Sequence, residues 1–177
     1  MPNLRLPAAL LVLFCTAPLL RAQHGQPDPL TDAQQQAIAE AGIDPAGRIE
    51  LYVKYLNERA DQIKRLIPRS EAARDRRLDS ELEAFASLVD ELSSNLDEYG
   101  DRKADLRKAL KPLNESIPRW QSLLHDLPNS PVFGISRDDA TDSVNDLSDQ
   151  AKKLTADQTE YFKEHPKAKE QQREEPE

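Results

Sequence analysis

The chain has 177 residues and a net charge of −8, with 32 acidic and 24 basic side chains. The negative charge argues against nucleic acid and anionic lipid surfaces as partners, because both are bound through basic patches. The single cysteine, Cys15, lies close to the N-terminus, so the rest of the chain has no disulfide and no thiolate. Only five glycines, together with many strong helix formers, favour an all-α fold.

Residues 1–22 have the features of a secretory signal peptide. Arg5 supplies a positive start, Leu6–Leu20 is almost entirely apolar, and Ala22 is a small residue at a plausible cleavage point. The apolar stretch is shorter than the roughly 20 residues that span a bilayer, which favours a signal over the alternative of an uncleaved anchor. The sequence therefore predicts a periplasmic or secreted protein with no membrane span after signal removal.

Two helices are predicted after a proline-containing leader at 23–30. Thr31 and Gln34 match a capping box and start a short helix that ends at Gly42. The Asp44–Pro45 pair then provides an N-cap followed by proline at the first helical position. This second helix is predicted to run to about Ile67, because a proline follows.

The second helix carries an apolar stripe that is wider than one partner helix can cover. Leu51, Tyr52, Tyr55 and Leu66 extend the stripe beyond the regular four-three spacing of its seam. We predict that these four residues form a surface for a protein partner or for self-association, since tyrosine is enriched at interfaces. The alternative is that they pack against the short helix that begins at Thr31.

A third predicted helix holds the clearest periodicity in the chain. Apolar residues alternate at spacings of four and three from Leu78 to Leu127, with Lys103 as the one exception. The phase does not change at Gly100, so we predict one long bent helix from about Ser70 to Leu127. The alternative is that the chain turns back at Gly100 and forms a four-helix bundle.

The last helix is predicted from a cap at Ser136 to about Lys163. Its four-three stripe has one polar member, Gln158. Residues 164–177 are charged and lack large apolar side chains to bury, so they are predicted to be a disordered tail. The domain organisation is thus a signal at 1–22, a helical domain at 23–163 and the tail. The fold class is all-α, an antiparallel coiled coil or helical bundle around the long bent helix.

No pattern of residues predicts a catalytic, cofactor or metal site. The chain has three histidines, and it lacks Glu-x-x-His, His-x-x-x-His and glycine-rich phosphate-loop motifs. The sequence therefore predicts a non-enzymatic protein that acts through contacts with other proteins. A bundle that binds metal through carboxylates alone is the alternative from another functional class.

Two segments, Leu30–Gln34 and Leu154–Gln158, both fit the pattern L-T-x-x-Q. In this respect the chain resembles the Spy/CpxP-type periplasmic proteins. The resemblance implies a helical hairpin that dimerises into a cradle, binds unfolded clients without ATP and takes part in envelope-stress responses. The chain differs from that family in its acidic charge and in the second motif, which lies inside a predicted helix. An LTxxQ-type chaperone or stress sensor is therefore the alternative within the same functional class.

Overall fold

The computed structural model describes residues 29–69 and 73–166. Five α-helices form most of this part of the chain: α1 Asp32–Glu40, α2 Pro45–Leu66, α3 Arg74–Asp101, α4 Arg107–His125 and α5 Gly134–Glu164. The described residues contain no β-strand and the helices pack against one another, which confirms the predicted all-α bundle. The predicted signal, most of the leader and the tail from residue 167 onwards lie outside the described residues.

The first two helices begin where the sequence predicted. Thr31 Oγ1 accepts a hydrogen bond from the Gln34 backbone N–H at 3.3 Å, and Gln34 Oε1 accepts one from the Thr31 backbone N–H at 2.9 Å. This reciprocal pair is a complete capping box. Pro45 occupies the first turn of α2, and a short 3₁₀ turn at Ala41–Ile43 separates the two helices.

The prediction of one long bent helix from Ser70 to Leu127 is wrong. The helix ends at Asp101, and a crossover loop at 102–106 leads into α4. The Lys103 N–H bonds to the Gly100 carbonyl and the Ala104 N–H to the Tyr99 carbonyl, both at 3.0 Å. This is a Schellman motif, and its left-handed position is taken by Lys103 with φ 58°. The turn therefore lies three residues after the glycine that suggested it.

Gln158 holds the crossover loop in place from the opposite helix. Its side-chain oxygen accepts a hydrogen bond from the Leu106 N–H at 2.8 Å, and its amide nitrogen donates to the Ala104 carbonyl at 2.6 Å. Gln158 is only 4% exposed. A buried backbone group without a hydrogen-bond partner lowers the stability of the fold. The Gln158 side chain supplies partners for the Leu106 N–H and the Ala104 carbonyl, which have no partner within a helix because the chain turns here.

The main helices form a four-helix bundle in which α2 and α4 run in one direction and α3 and α5 in the other. Contacts place α3 and α4 each between α2 and α5, so the crossover loop connects diagonally opposite helices. The side chains of Phe85 and Trp120 meet across this diagonal, edge to face, with ring centroids 5.9 Å apart. The directions follow from hydrogen-bonded pairs between neighbouring helices, namely Tyr52–Glu91, Arg59–Glu81, Trp120–Asn57, Asp79–Ser136, Ser93–Gln150, Asn114–Thr155 and Gln121–Asn145.

Both halves of the predicted long helix bury their apolar stripe in one common core. The core of the bundle includes Leu78, Leu82, Phe85, Val89, Leu92, Leu96, Tyr99, Leu106, Leu110, Leu113, Ile117, Trp120 and Leu124. The helix continues through Pro112 and Pro118, as predicted, and Pro118 lies on the exposed side. We call the end with the α2–α3 and α4–α5 connections the upper end, and the end with the crossover loop the lower end.

Candidate functional site

The structure does not expose the four residues predicted to form a partner surface. Tyr52 is 0% exposed, Tyr55 and Leu66 are each 7% exposed, and Leu51 is half-buried. The prediction of an open apolar flank on α2 is therefore corrected: these side chains belong to the core or pack against it. The width of the stripe was informative, because α1, α3 and α4 of the same chain all pack against α2.

Tyr52 faces α3 rather than solvent. Its hydroxyl donates a hydrogen bond to Glu91 Oε1 at 2.7 Å. Burial of the ring and the hydrogen bond to the Glu91 carboxylate raise the pKa of Tyr52 to about 12. The phenol therefore stays protonated at neutral pH and serves as a fixed donor between α2 and α3.

The helix α1 packs on α2, and its contact with Glu58 places it on the flank that carries Leu51 and Tyr55. Glu58 lies three residues after Tyr55 on this flank, and its Oε2 accepts a hydrogen bond from Gln34 Nε2 of α1 at 3.2 Å. Arg59 donates from its guanidinium to the carbonyl of Pro29, just before α1. We call α1 with residues 29–31 the strap, and the flank formed by Leu51, Tyr55 and Glu58 the strap site.

The strap is the least secured helix of the described chain. Two of its side chains, Leu30 and Ile38, are buried at 6% and 5% exposure, and the remaining residues of α1 are half-buried or exposed. Two buried side chains contribute about 3–6 kcal/mol, and a helix of nine residues is not stable by itself. The strap site is therefore an apolar surface covered by a short, weakly held amphipathic helix of the same chain.

The sequence does not reveal a relative with a known role. Comparisons with protein-family models, with curated proteins and with solved structures found no match to this chain. Any functional conclusion therefore depends on the residues and their geometry.

Two open grooves lie away from the strap. One is at the lower end between α3 and α5, has a volume of about 160 Å³, and is lined by Lys103, Leu154 and Tyr161 among others. The other is at the upper end between α4 and α5, with a volume of about 440 Å³. His125 at its edge is bonded only to the neighbouring Asp126, at 3.2 Å, and the Thr141 hydroxyl donates to the Arg137 carbonyl. The Thr141 hydroxyl is therefore bonded to the backbone of its own helix and not to His125, so the two side chains do not form a nucleophile–base pair.

Residues 29–69 and 73–166 contain no group of three or more His, Cys, Asp or Glu side chains placed to hold a metal ion. In the same ranges, no helix is long and apolar enough to cross a membrane. Some of the carboxylates are paired with arginine, as Glu81 is with Arg59 at 2.7 Å, and others are bonded to lysine or to neutral side chains, as Glu91 is to Tyr52.

Both L-T-x-x-Q segments have structural roles in this fold. Thr31 and Gln34 cap α1, whereas Gln158 holds the crossover loop. The sequence identified Gln158 as a polar exception in an apolar stripe and as the last residue of an L-T-x-x-Q segment. Its partners could not be deduced, because they are backbone groups in a loop 52 residues earlier in the chain.

Proposed function

We propose that this is an exported, non-enzymatic protein that acts by binding another protein at the strap site. The observation that carries the proposal is a flank of α2 with Leu51 and Tyr55 against which the short strap packs. A partner would supply an amphipathic helix in place of α1, with apolar residues at the spacing of Leu30 and Ile38. Recognition of a helix in an apolar groove is a common mode of peptide binding.

The strap sets the affinity of such an exchange. Because α1 is part of the same chain, its effective concentration at the strap site is in the millimolar range, and a partner must compete with it. Loosening the strap should therefore strengthen partner binding. A site that contributes only to stability would show the opposite behaviour, since loosening α1 would expose apolar surface without recruiting a specific partner.

The experiment is site-specific photo-crosslinking in cells that export the protein. The crosslinker replaces Gln62, an exposed residue on the same flank of α2 as Tyr55 and Glu58. A matched control replaces Asp146, an exposed residue on the outer side of α5. Each crosslinker position is tested with and without Ile38→Ser. This substitution removes one of the two buried side chains that hold the strap.

We expect discrete crosslinked products from position 62 that increase several-fold with Ile38→Ser, and none that increase from position 146. Circular dichroism of Ile38→Ser should show a folded bundle, because the core side chains of α2, α3, α4 and α5 are unchanged. If the products from position 62 do not respond to Ile38→Ser, or if both positions respond equally, the strap site is not the partner surface.

A further inference from the structure

The turn between the strap and α2 displays a large apolar side chain that takes no part in the core. Ile43 is 84% exposed, the highest value for a large apolar residue in the described ranges. A Cβ atom placed on Gly42 would have no atom within 4 Å apart from its neighbours in the chain, so the space around this glycine is open. We call residues 41–44 the hinge. The hinge is accessible to another protein from outside the bundle.

The hinge can open while the core stays closed. Its 3₁₀ turn is closed by a hydrogen bond from the Asp44 N–H to the Ala41 carbonyl at 3.0 Å, and the Asp44 side chain makes no capping bond to α2. The turn packs on α1 and α2, its neighbours in the chain. Because α1 is short and has few buried side chains, local unfolding of α1 and the hinge needs far less free energy than unfolding of the bundle.

A segment that a protease cleaves must be exposed and must also be able to open, because a protease binds several residues of its substrate as an extended strand. Ile135 meets only the first condition. It is 79% exposed but lies in the first turn of α5 between Phe133 and Ser136, which are buried at 0% and 6% exposure. The residues around Ile135 cannot become extended unless the core opens, whereas those before Ile43 need only α1 to open.

We propose that the hinge is a cleavage site for an endopeptidase that selects a large apolar side chain, and that cleavage releases the strap. The proposal rests on the function proposed above, since it names how the strap site is opened. In the cleavage, water adds to the carbonyl carbon of Gly42 and the bond to the Ile43 nitrogen breaks. The products are a carboxylate on Gly42 and an ammonium group on Ile43.

Cleavage turns the strap from a part of the same chain into a separate peptide. At micromolar protein, its concentration at the strap site falls about a thousandfold from the millimolar value of the intact chain. The two buried side chains of the strap, Leu30 and Ile38, then have to offset the loss of translational and rotational freedom, which is too large for so small a contact. The strap therefore dissociates. The bundle keeps Pro45 at the start of α2 and all of the core side chains of α2, α3, α4 and α5.

The test is limited proteolysis of the purified exported protein with thermolysin, which cleaves before large apolar residues. We expect mass spectrometry to show that the first fragment begins at Ile43, before any cut in α2, α3, α4 or α5. Size-exclusion chromatography should separate the strap peptide from a folded bundle. Ile43→Asp should slow this cut about tenfold or more, because the enzyme loses its apolar contact. The matched control is Ile135→Asp, the same change at an equally exposed isoleucine, and it should leave the rate unchanged.

A second measurement connects cleavage to partner binding. The purified protein with the crosslinker at position 62 is treated with thermolysin, the enzyme is removed, and an envelope extract is added. We expect the crosslinked products to increase several-fold, as they do with Ile38→Ser in the uncleaved protein. In the Ile43→Asp variant the same treatment should not increase them, because the strap remains attached.

Three results would overturn the cleavage proposal while leaving the strap site as a partner surface. One is a cut before Ile135 that is as fast as the cut in the hinge. Another is an Ile43→Asp variant that is trimmed at an unchanged rate to a fragment beginning at Ile38, because α1 would then open as a whole and the hinge would not be the site. The third is a cleaved strap that stays bound to the bundle. If neither Ile38→Ser nor a completed cut increases the products from position 62, the proposed function fails and its regulation by cleavage fails with it.

Discussion

The two L-T-x-x-Q segments share a sequence pattern and differ in structure. At the first, Thr31 and Gln34 bond to each other's backbone at the start of α1. At the second, Thr155 donates to the Ala151 carbonyl one turn earlier, and Gln158 is buried against the crossover loop. The backbone bonds of Gln34 thus lie within four residues of the chain, whereas those of Gln158 cross the bundle to the loop at 102–106.

The difference shows that the environment of a glutamine, rather than the motif around it, sets its contribution to stability. An exposed cap competes with water, so its net contribution is small. A buried amide that satisfies two backbone groups has no such competitor, and its loss leaves both groups without partners. The predictions below test this contrast and the chain reversal on which it depends.

The largest expected effect is a distance between α3 and α4. Spin labels at Glu83 and Arg119, 36 residues apart, would be about 54 Å apart in one continuous helix. The reversal at the crossover loop brings them to about 30 Å. Double electron–electron resonance on the doubly labelled protein measures this distance, and a value near the longer one would contradict the bundle.

The next prediction compares the same substitution at the two motifs. Gln158→Leu should lower the free energy of unfolding by about 3 kcal/mol, because the Leu106 N–H and the Ala104 carbonyl lose their partner. Gln34→Leu should lower it by less than about 1 kcal/mol, because its backbone partner is exposed to water. Urea denaturation of both variants measures the difference, and equal losses would refute the contrast.

A smaller effect is expected at the turn that Gln158 holds. Lys103→Gly and Lys103→Ala both remove the ammonium, which lies 5.8 Å from the centroid of the Tyr161 ring. They differ in tolerance of the left-handed conformation at φ 58°. We expect the glycine variant to be more stable than the alanine variant by about 1 kcal/mol in thermal or urea unfolding. No difference would mean that residue 103 leaves this conformation readily.

The smallest expected effect is at the first cap. Thr31→Ala removes the side-chain acceptor of the Gln34 N–H and should destabilise α1 by about 0.5–1 kcal/mol. Because α1 is weakly held, we expect faster amide exchange in α1 with a nearly unchanged melting temperature of the bundle. A large drop in melting temperature would show that the strap is coupled to the core.

The sequence alone determined where α1 and α2 begin and which side chains of the four-three stripes are buried in the core. The capping box at Thr31, proline at the start of α2 and the four-three stripes are local patterns, and each follows from helix geometry. The stripe from Leu78 to Leu127 also identified Tyr99 and Trp120 correctly as core residues, at 3% and 1% exposure.

Only the tertiary structure decided that α3 and α4 are separate. The apolar phase is the same before and after the crossover loop because both helices face one core, so periodicity cannot distinguish a reversal from a continuous helix. The residue of the turn with a left-handed backbone is a lysine. The side chain that stabilises the turn, Gln158, lies on α5. The cover of the α2 flank by α1 likewise depends on contacts between segments that are separated in sequence, which residue spacing does not encode.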